Sequence, residues 1–473
     1  MDLQLTVDDR AGDRTARLYE QMRDAVLDGR LKAGDRLPPT RELAATLGVA
    51  RGTVATVYDR LTAEGFVIGR VGSGTFVRPD VLPDRSRRAP GGEVRPRPIW
   101  ASLPDPVPEP PSAELDLSVG GPDASLFPLA AWRRLVSQTL RPSLLGAAPY
   151  DGQGDAVLRR EIARYLSTSR SVRAGGEDVV VTNGAQQGLD IVARAVLAPG
   201  DIAVVEDPGY TAAVRLFASH AATVVGVEVD DEGLIVDRLP SRARLIYLTP
   251  SHQFPTGAVL SLARRQALLD WARRRDVIVV EDDYDSEFRW QDRPLAPLQS
   301  LDSCGRVVYV GSFSKILMPS LRVGYVIAPR SLQSVLRQAK QLTDWQGDAV
   351  TQGALARFLA EGMLPAHLRR VSKVYAARRA ALLAGLDALA AAGLRVQPNA
   401  AGLHVCCWFD DRTVDDVEFA VRAAAVGVAV DPISTRFITA PARPGLAMGF
   451  RRLPAERVPE AVRRLITVLA GYR

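Results

Sequence analysis

Five short runs of mostly β-branched residues recur through this chain, at 178–182, 202–205, 245–248, 277–280 and 307–310, and they restrict its fold more than any other feature. Each is four or five residues long, nearly continuous in its apolar character, bounded by polar turn residues and separated from the next by an amphipathic helical stretch. A strand that alternated apolar and polar would have one wet face. Strands apolar on both faces need cover on both, which predicts a mostly parallel sheet between two helical layers, an α/β three-layer domain. In such folds ligands collect at the carboxyl ends of the strands, so the residues just after each run are the first to inspect.

After the last run comes Gly311-Ser312-Phe313-Ser314-Lys315, with Arg322 seven residues on. Only four of the 60 basic residues are lysines. Lysine can lose its proton and attack a carbonyl, whereas arginine stays protonated at any working pH. Ser312, Ser314 and Arg322 supply donors suited to a phosphate. An amine nucleophile beside a phosphate clamp points to pyridoxal 5′-phosphate (PLP), carried on Lys315 as a Schiff base. Upstream, Gly184, Ala185 and Gln186 open a helix after the first run, where free N–H groups and the helix dipole favour an anion; the phosphate is assigned there. Tyr210, after the second run, is placed to stack on the pyridine ring. After 277–280, Asp282 is assigned to the ring nitrogen and Tyr284 to the ring's 3′-oxygen, while Asp285 and Glu287 read as surface acids.

Residues 79–114 are rich in proline with interspersed arginine and carry no apolar periodicity, so they are read as a linker, able to reach on the order of 100 Å if polyproline-like. Before it, 14–78 forms a small module. A helix over 16–28 stops at Gly29; Thr40 is expected to cap a helix over 41–47; Gly48 breaks it; a second helix runs over 51–64; and a hairpin wing turns around Gly72. Two short helices across a glycine turn are the helix-turn-helix pattern, which implies double-stranded DNA as partner. Twelve Arg and Lys against 11 Asp and Glu in residues 1–78 do not decide the matter, but placement does. Thr40, Arg41, Arg51, Gly52, Thr53, Thr56, Arg70 and Gly72 fall on the turn, recognition-helix and wing positions that face DNA.

The net charge of +6 is mild, and no apolar run approaches the roughly 18 residues that cross a bilayer. Three cysteines give no disulfide framework, and the acidic start shows no secretory signal, so a cytoplasmic location and no membrane role are expected. His404, Cys406 and Cys407 lack metal-ligand spacing and read as a buried strand, with no metal.

Over 14–78 the chain resembles the winged helix-turn-helix of the GntR family, through Leu37-Pro38-Pro39-Thr40-Arg41-Glu42-Leu43-Ala44 and Val49-Ala50-Arg51-Gly52-Thr53-Val54. Over 115–473 it resembles fold-type I PLP enzymes of the aminotransferase class I/II family, through 311–325 and 249–257. Together these resemble the MocR subfamily of bacterial regulators. That resemblance implies a head-to-tail homodimer that binds PLP or a small amine effector and controls transcription; the rival is a working aminotransferase with an appended head. Tyr150 stands where the family often sends a tyrosine to the partner's phosphate. Two positions depart from transaminases. Phe254 replaces the asparagine that supports the ring oxygen, leaving His252 or Gln253 to compensate. Ala447 replaces the arginine that grips the substrate carboxylate, with Arg436 or Arg443 as substitutes; Arg436 is held as the effector residue, although surface arginine is the plainer reading of each.

Overall fold

The computed structural model describes residues 5, 14–79, 93–103, 113–141, 151–290 and 296–472. The chain divides into two compact units, Met1–Pro96 and Arg97–Arg473. Tyr150, and Arg85, Arg87 and Arg88 of the proline-rich stretch, lie outside the described residues.

In the first unit the helix Arg14–Leu27 buries Leu18, Tyr19, Met22, Ala25 and Val26 along one face and ends before Gly29, at φ +80°. The helices Thr40–Leu47 and Arg51–Ala63 flank Gly48, which takes the left-handed φ of +65° that ends the first of them. Thr40 does not cap its helix: Pro39 holds the N-cap position, no side chain caps it, and Thr40 is the first helical residue. Pro39 is already extended (φ −55°, ψ 142°), so the turn into the helix is made one residue earlier than the threonine rule suggests. Val54, Val57, Tyr58 and Leu61 form the buried stripe of Arg51–Ala63, and the Tyr58 hydroxyl donates to the Pro38 carbonyl at 2.7 Å. The strands Val67–Arg70 and Gly74–Val77 pair antiparallel as the wing.

The second unit is built on an eight-stranded sheet in the order Val179–Thr182, Gly324–Ile327, Val307–Ser312, Ile278–Asp283, Leu245–Leu248, Ile202–Asp207, Thr223–Asp230, Gly233–Leu234. Five neighbouring strands run parallel; Gly324–Ile327 runs antiparallel to both its neighbours. Side chains alternate between two covered faces. Val179 and Val181 pack with helices Leu129–Thr139 and Ala156–Arg170, whereas Val180, Val308 and Val310 pack with helix Ala185–Val196. A four-stranded antiparallel sheet, Leu394–Gln397, His404–Phe409, Gly445–Gly449 and Asp431–Pro432, follows the 29-residue helix Met363–Ala391. Cys406 and Cys407 are buried within it. Among the described residues no helix is long and apolar enough to cross a membrane.

Candidate functional site

Lys315 lies in the loop 313–323, which leaves the sheet after Val307–Ser312 and returns as Gly324–Ile327. Its ammonium nitrogen is 2.9 Å from the Gly120 carbonyl, and it lines a cavity with Gly120, Phe254, Tyr284, Asp285 and His404. Burial pushes its pKa down from 10.5 to about 8; the carboxylates Asp285 and Asp282 pull the other way and Arg451 adds to the fall. An amine so poised is neutral often enough to act as a nucleophile.

Along the same rim, Gly184 takes φ +82° directly before helix Ala185–Val196. A Cβ there would lie 2.7 Å from the Arg322 guanidinium, so the close approach requires glycine. Gly324 is held to glycine by the same crowding, since its Cβ would meet the Gly184 backbone at 2.7 Å. Arg322 donates to the Asn183 carbonyl at 2.8 Å, and the Ser312 and Ser314 hydroxyls are 2.9 Å apart. Gln186 turns its side-chain amide toward the Ala212 carbonyl at 3.4 Å.

The strand Ile278–Asp283 ends in three buried acids that point to alternate faces. Glu281 accepts from the N–H groups of Leu298 and Gln299 at 2.9 Å. Asp283 accepts from Arg170 at 2.7 and 3.0 Å and from Tyr309 at 2.5 Å. Asp282, on the opposite face, accepts from the Tyr247 hydroxyl at 2.8 Å through Oδ2 only; Oδ1 is buried with no partner. Burial raises the Asp282 carboxyl to about 7, and its unpartnered Oδ1, like that of Asp283, has room for a donor.

Asp285 is not a surface acid. It is buried, 3.0 Å from His252 Nδ1, and accepts from the Leu403 N–H at 3.2 Å, because residues 288–290 pair with 400–402 and bring that segment against it. Glu287 is drawn in as well and accepts from the Tyr165 hydroxyl at 2.8 Å. The Tyr284 hydroxyl donates to the His252 carbonyl at 2.9 Å and lies 2.9 Å from His252 Nδ1. Gln253 is spent on backbone carbonyls, donating to Pro208 of a neighbouring loop and to Phe254 of its own, so of the two residues that could stand in for asparagine His252 is the one that touches Tyr284. His252, Asp285 and His404 bring possible metal-ligand atoms within 4.8 Å of one another. His252 Nδ1 is engaged by Asp285 and Tyr284, and His404 Nε2 by the Pro255 carbonyl at 3.1 Å, while His252 Nε2 is buried with no partner.

Tyr210 is partly exposed and packs edge-on against Phe254 at 6.0 Å. Arg436 is buried, contrary to the surface reading; its guanidinium lies 4.8 Å over the Phe254 ring and 3.6 Å from Asp431, the cross-strand partner of Ala447. Arg443 instead lies over Trp408, at 4.6 Å. In the first unit Arg41, Arg51, Gly52, Thr56, Arg70 and Gly72 are exposed and Thr40 and Thr53 partly so, with Arg51 Nε 3.5 Å from the Thr40 hydroxyl. Tyr247, Arg170 and Asp285 were not legible as site residues, since each depends on which strand lies next to which.

A winged helix-turn-helix followed by a fold-type I aminotransferase domain is the class that these two units define. Residues 14–77 match the bacterial regulatory proteins of the gntR family, and 114–444 match aminotransferase class I and II. The probable rhizopine catabolism regulatory protein MocR of Rhizobium meliloti is 36% identical over 462 residues, covering 95% of this chain and 92% of its own length. The HTH-type transcriptional regulator TauR of Rhodobacter capsulatus is 34% identical, covering 97% of each. The crystal structure of Pyrococcus horikoshii kynurenine aminotransferase superposes with a TM-score of 0.71 at 28% identity, over 76% of this chain and 92% of that one. The chain belongs to the MocR-type GntR transcription regulators.

Proposed function

We propose that this regulator holds PLP on Lys315 and reads either the cofactor itself or a small amine effector, and that the state of this site sets promoter binding by residues 14–78. The observation that carries the reading is the Asp282 carboxylate, buried with Oδ1 unpartnered, on the same strand-end rim as a desolvated amine. When bound, the cofactor supplies a reactive carbonyl carbon and an electron-withdrawing ring. Asp282 would hold the ring nitrogen protonated, Tyr284 the ring oxygen, and Tyr210 one ring face. Gly184, Ala185, Gln186, Ser312, Ser314 and Arg322 would hold the phosphate. Arg436, buried over Phe254, is the cation available to an acidic group on the effector. Residues 79–114 act as the tether to the effector domain 115–473, the working form is a head-to-tail homodimer, and its place is the cytoplasm, with the DNA.

Purified protein should show a violet-edge absorption band that Lys315→Ala removes, and retention of an operator fragment should change on adding PLP or an amine. A band that survives Lys315→Ala would refute the assignment of the amine. Steady conversion of an amino donor to its keto acid over many cycles would instead establish the aminotransferase reading, against which Ala447 stands.

A further inference from the structure

Lys340 is the one lysine of four whose side chain is fully buried. It sits on helix Arg330–Asp344, and its ammonium contacts Asp344 Oδ1, four residues on. Asp344 Oδ2 accepts from Asn183 Nδ2 at 2.6 Å and from Gln187 Nε2 at 2.8 Å. Gln187 Oε1 in turn accepts from the Asn183 N–H at 2.7 Å, and the Asn183 carbonyl accepts from Arg322 at 2.8 Å. Every polar group of Asn183 named here is therefore committed, on the residue just before Gly184. Directly after Asp344, Trp345 adopts φ +64° and ψ −52°, with the Gln346 N–H donating to the Asp344 carbonyl at 2.7 Å. That is the strained form of the γ-turn, held by an aromatic residue, and it persists only where its surroundings over-determine it. Asp344, fixed through both carboxylate oxygens, is the anchor next to it.

We propose that the Lys340–Asp344 pair is a positioning device for the phosphate seat: it locks Asn183, and through Asn183 the start of helix Ala185–Val196 and the Arg322 fork, while the ammonium cancels a carboxylate charge that would otherwise oppose the anion. A compact ammonium suits a lone carboxylate inside the fold, where a guanidinium would need several acceptors in its plane. The proposal rests on the PLP reading given above and concerns only its phosphate.

The test compares PLP with pyridoxal, which lacks the phosphate, by equilibrium titration of the full chain. Lys340→Met uncovers the Asp344 charge, and Asn183→Ala removes the direct side-chain link to Asp344 while leaving the ion pair, and the weaker link through Gln187, intact. Each should weaken PLP by about tenfold, about 1.4 kcal/mol, and pyridoxal by less than about twofold. The double variant should lose little more than either single one, because both act on one device. Equal losses for PLP and pyridoxal, or no loss for either, would overturn the proposal; if Lys340→Met does not fold, Asn183→Ala decides alone. A wild-type chain that binds neither compound overturns the cofactor reading itself, and this one with it.

Discussion

The lowered pKa of Lys315 makes the pH dependence of cofactor capture a sharp test. Only the neutral amine can attack a carbonyl, so the capture rate follows the neutral fraction. An ordinary lysine with a pKa of 10.5 is neutral in about one molecule in 3,000 at pH 7, whereas burial to about 8 raises this to about one in eleven, a gain of about 300-fold. The rate of rise of the violet-edge band, measured by stopped flow, should increase about tenfold per pH unit below 8 and then level off. Two variants move the midpoint in opposite directions. Asp285→Asn removes a carboxylate that supports the charged form, so the midpoint falls; Arg451→Met removes a cation that opposes it, so the midpoint rises. Each shift should be on the order of one unit, about tenfold in rate at a fixed pH below the midpoint. Titration of the cofactor is common to all three proteins and cancels between them. A wild-type rate that climbs without a plateau to pH 10, or variants that shift together, would refute the argument that desolvation sets this amine.

Tyr247→Phe strips Asp282 of its one hydrogen bond, so its carboxyl rises further above about 7. PLP affinity should fall about tenfold, most at acid pH and progressively less as the pH rises; a loss independent of pH would contradict this. Arg170→Met leaves Asp283 buried and charged. Burial pushes that carboxyl up, but Arg170 with Ser286 and Tyr309 holds it below its ordinary value, so the pair's stabilisation is present above the unfolded pKa and is lost as pH falls through the folded one. Urea unfolding should show a loss of about 3–5 kcal/mol at neutral pH that narrows on acidification. Arg51→Ala should weaken operator binding and lower the log–log salt slope by about 0.9, the value of one phosphate contact; an unchanged slope would place Arg51 off the DNA.

The alternation of β-branched runs with helices was enough to read the sheet, because uniformly apolar strands admit few other arrangements. Three of the eight strands escaped that reading, the short Gly233–Leu234 among them, and the two longer ones did so for physical reasons. Gly324–Ile327 is hidden behind the polar lysine loop, and Thr223–Asp230 is only partly buried, so its polar residues break the apolar run. Within the candidate site, Lys315, Asp282 and Gly184 can be nominated from sequence because their chemistry is local: an amine among arginines, an acid closing a buried strand, a glycine opening a helix. Asp285 was misread because nothing nearby in sequence shows that His252 and Leu403 come to meet it. Arg436 likewise meets Phe254 and Asp431 only in the folded chain. Partners far apart in sequence carry no local mark.

Ser312 and Gly324 face each other directly across two paired strands, so the eleven residues between them form a closed loop whose two feet are a single cross-strand pair. Lys315 and Arg322 stand near opposite feet of that loop. Insertion or deletion of one residue there would rotate one of them relative to the other. Relatives should therefore tolerate almost no change in the length of this loop, which can be transplanted between them as a unit only at its full length.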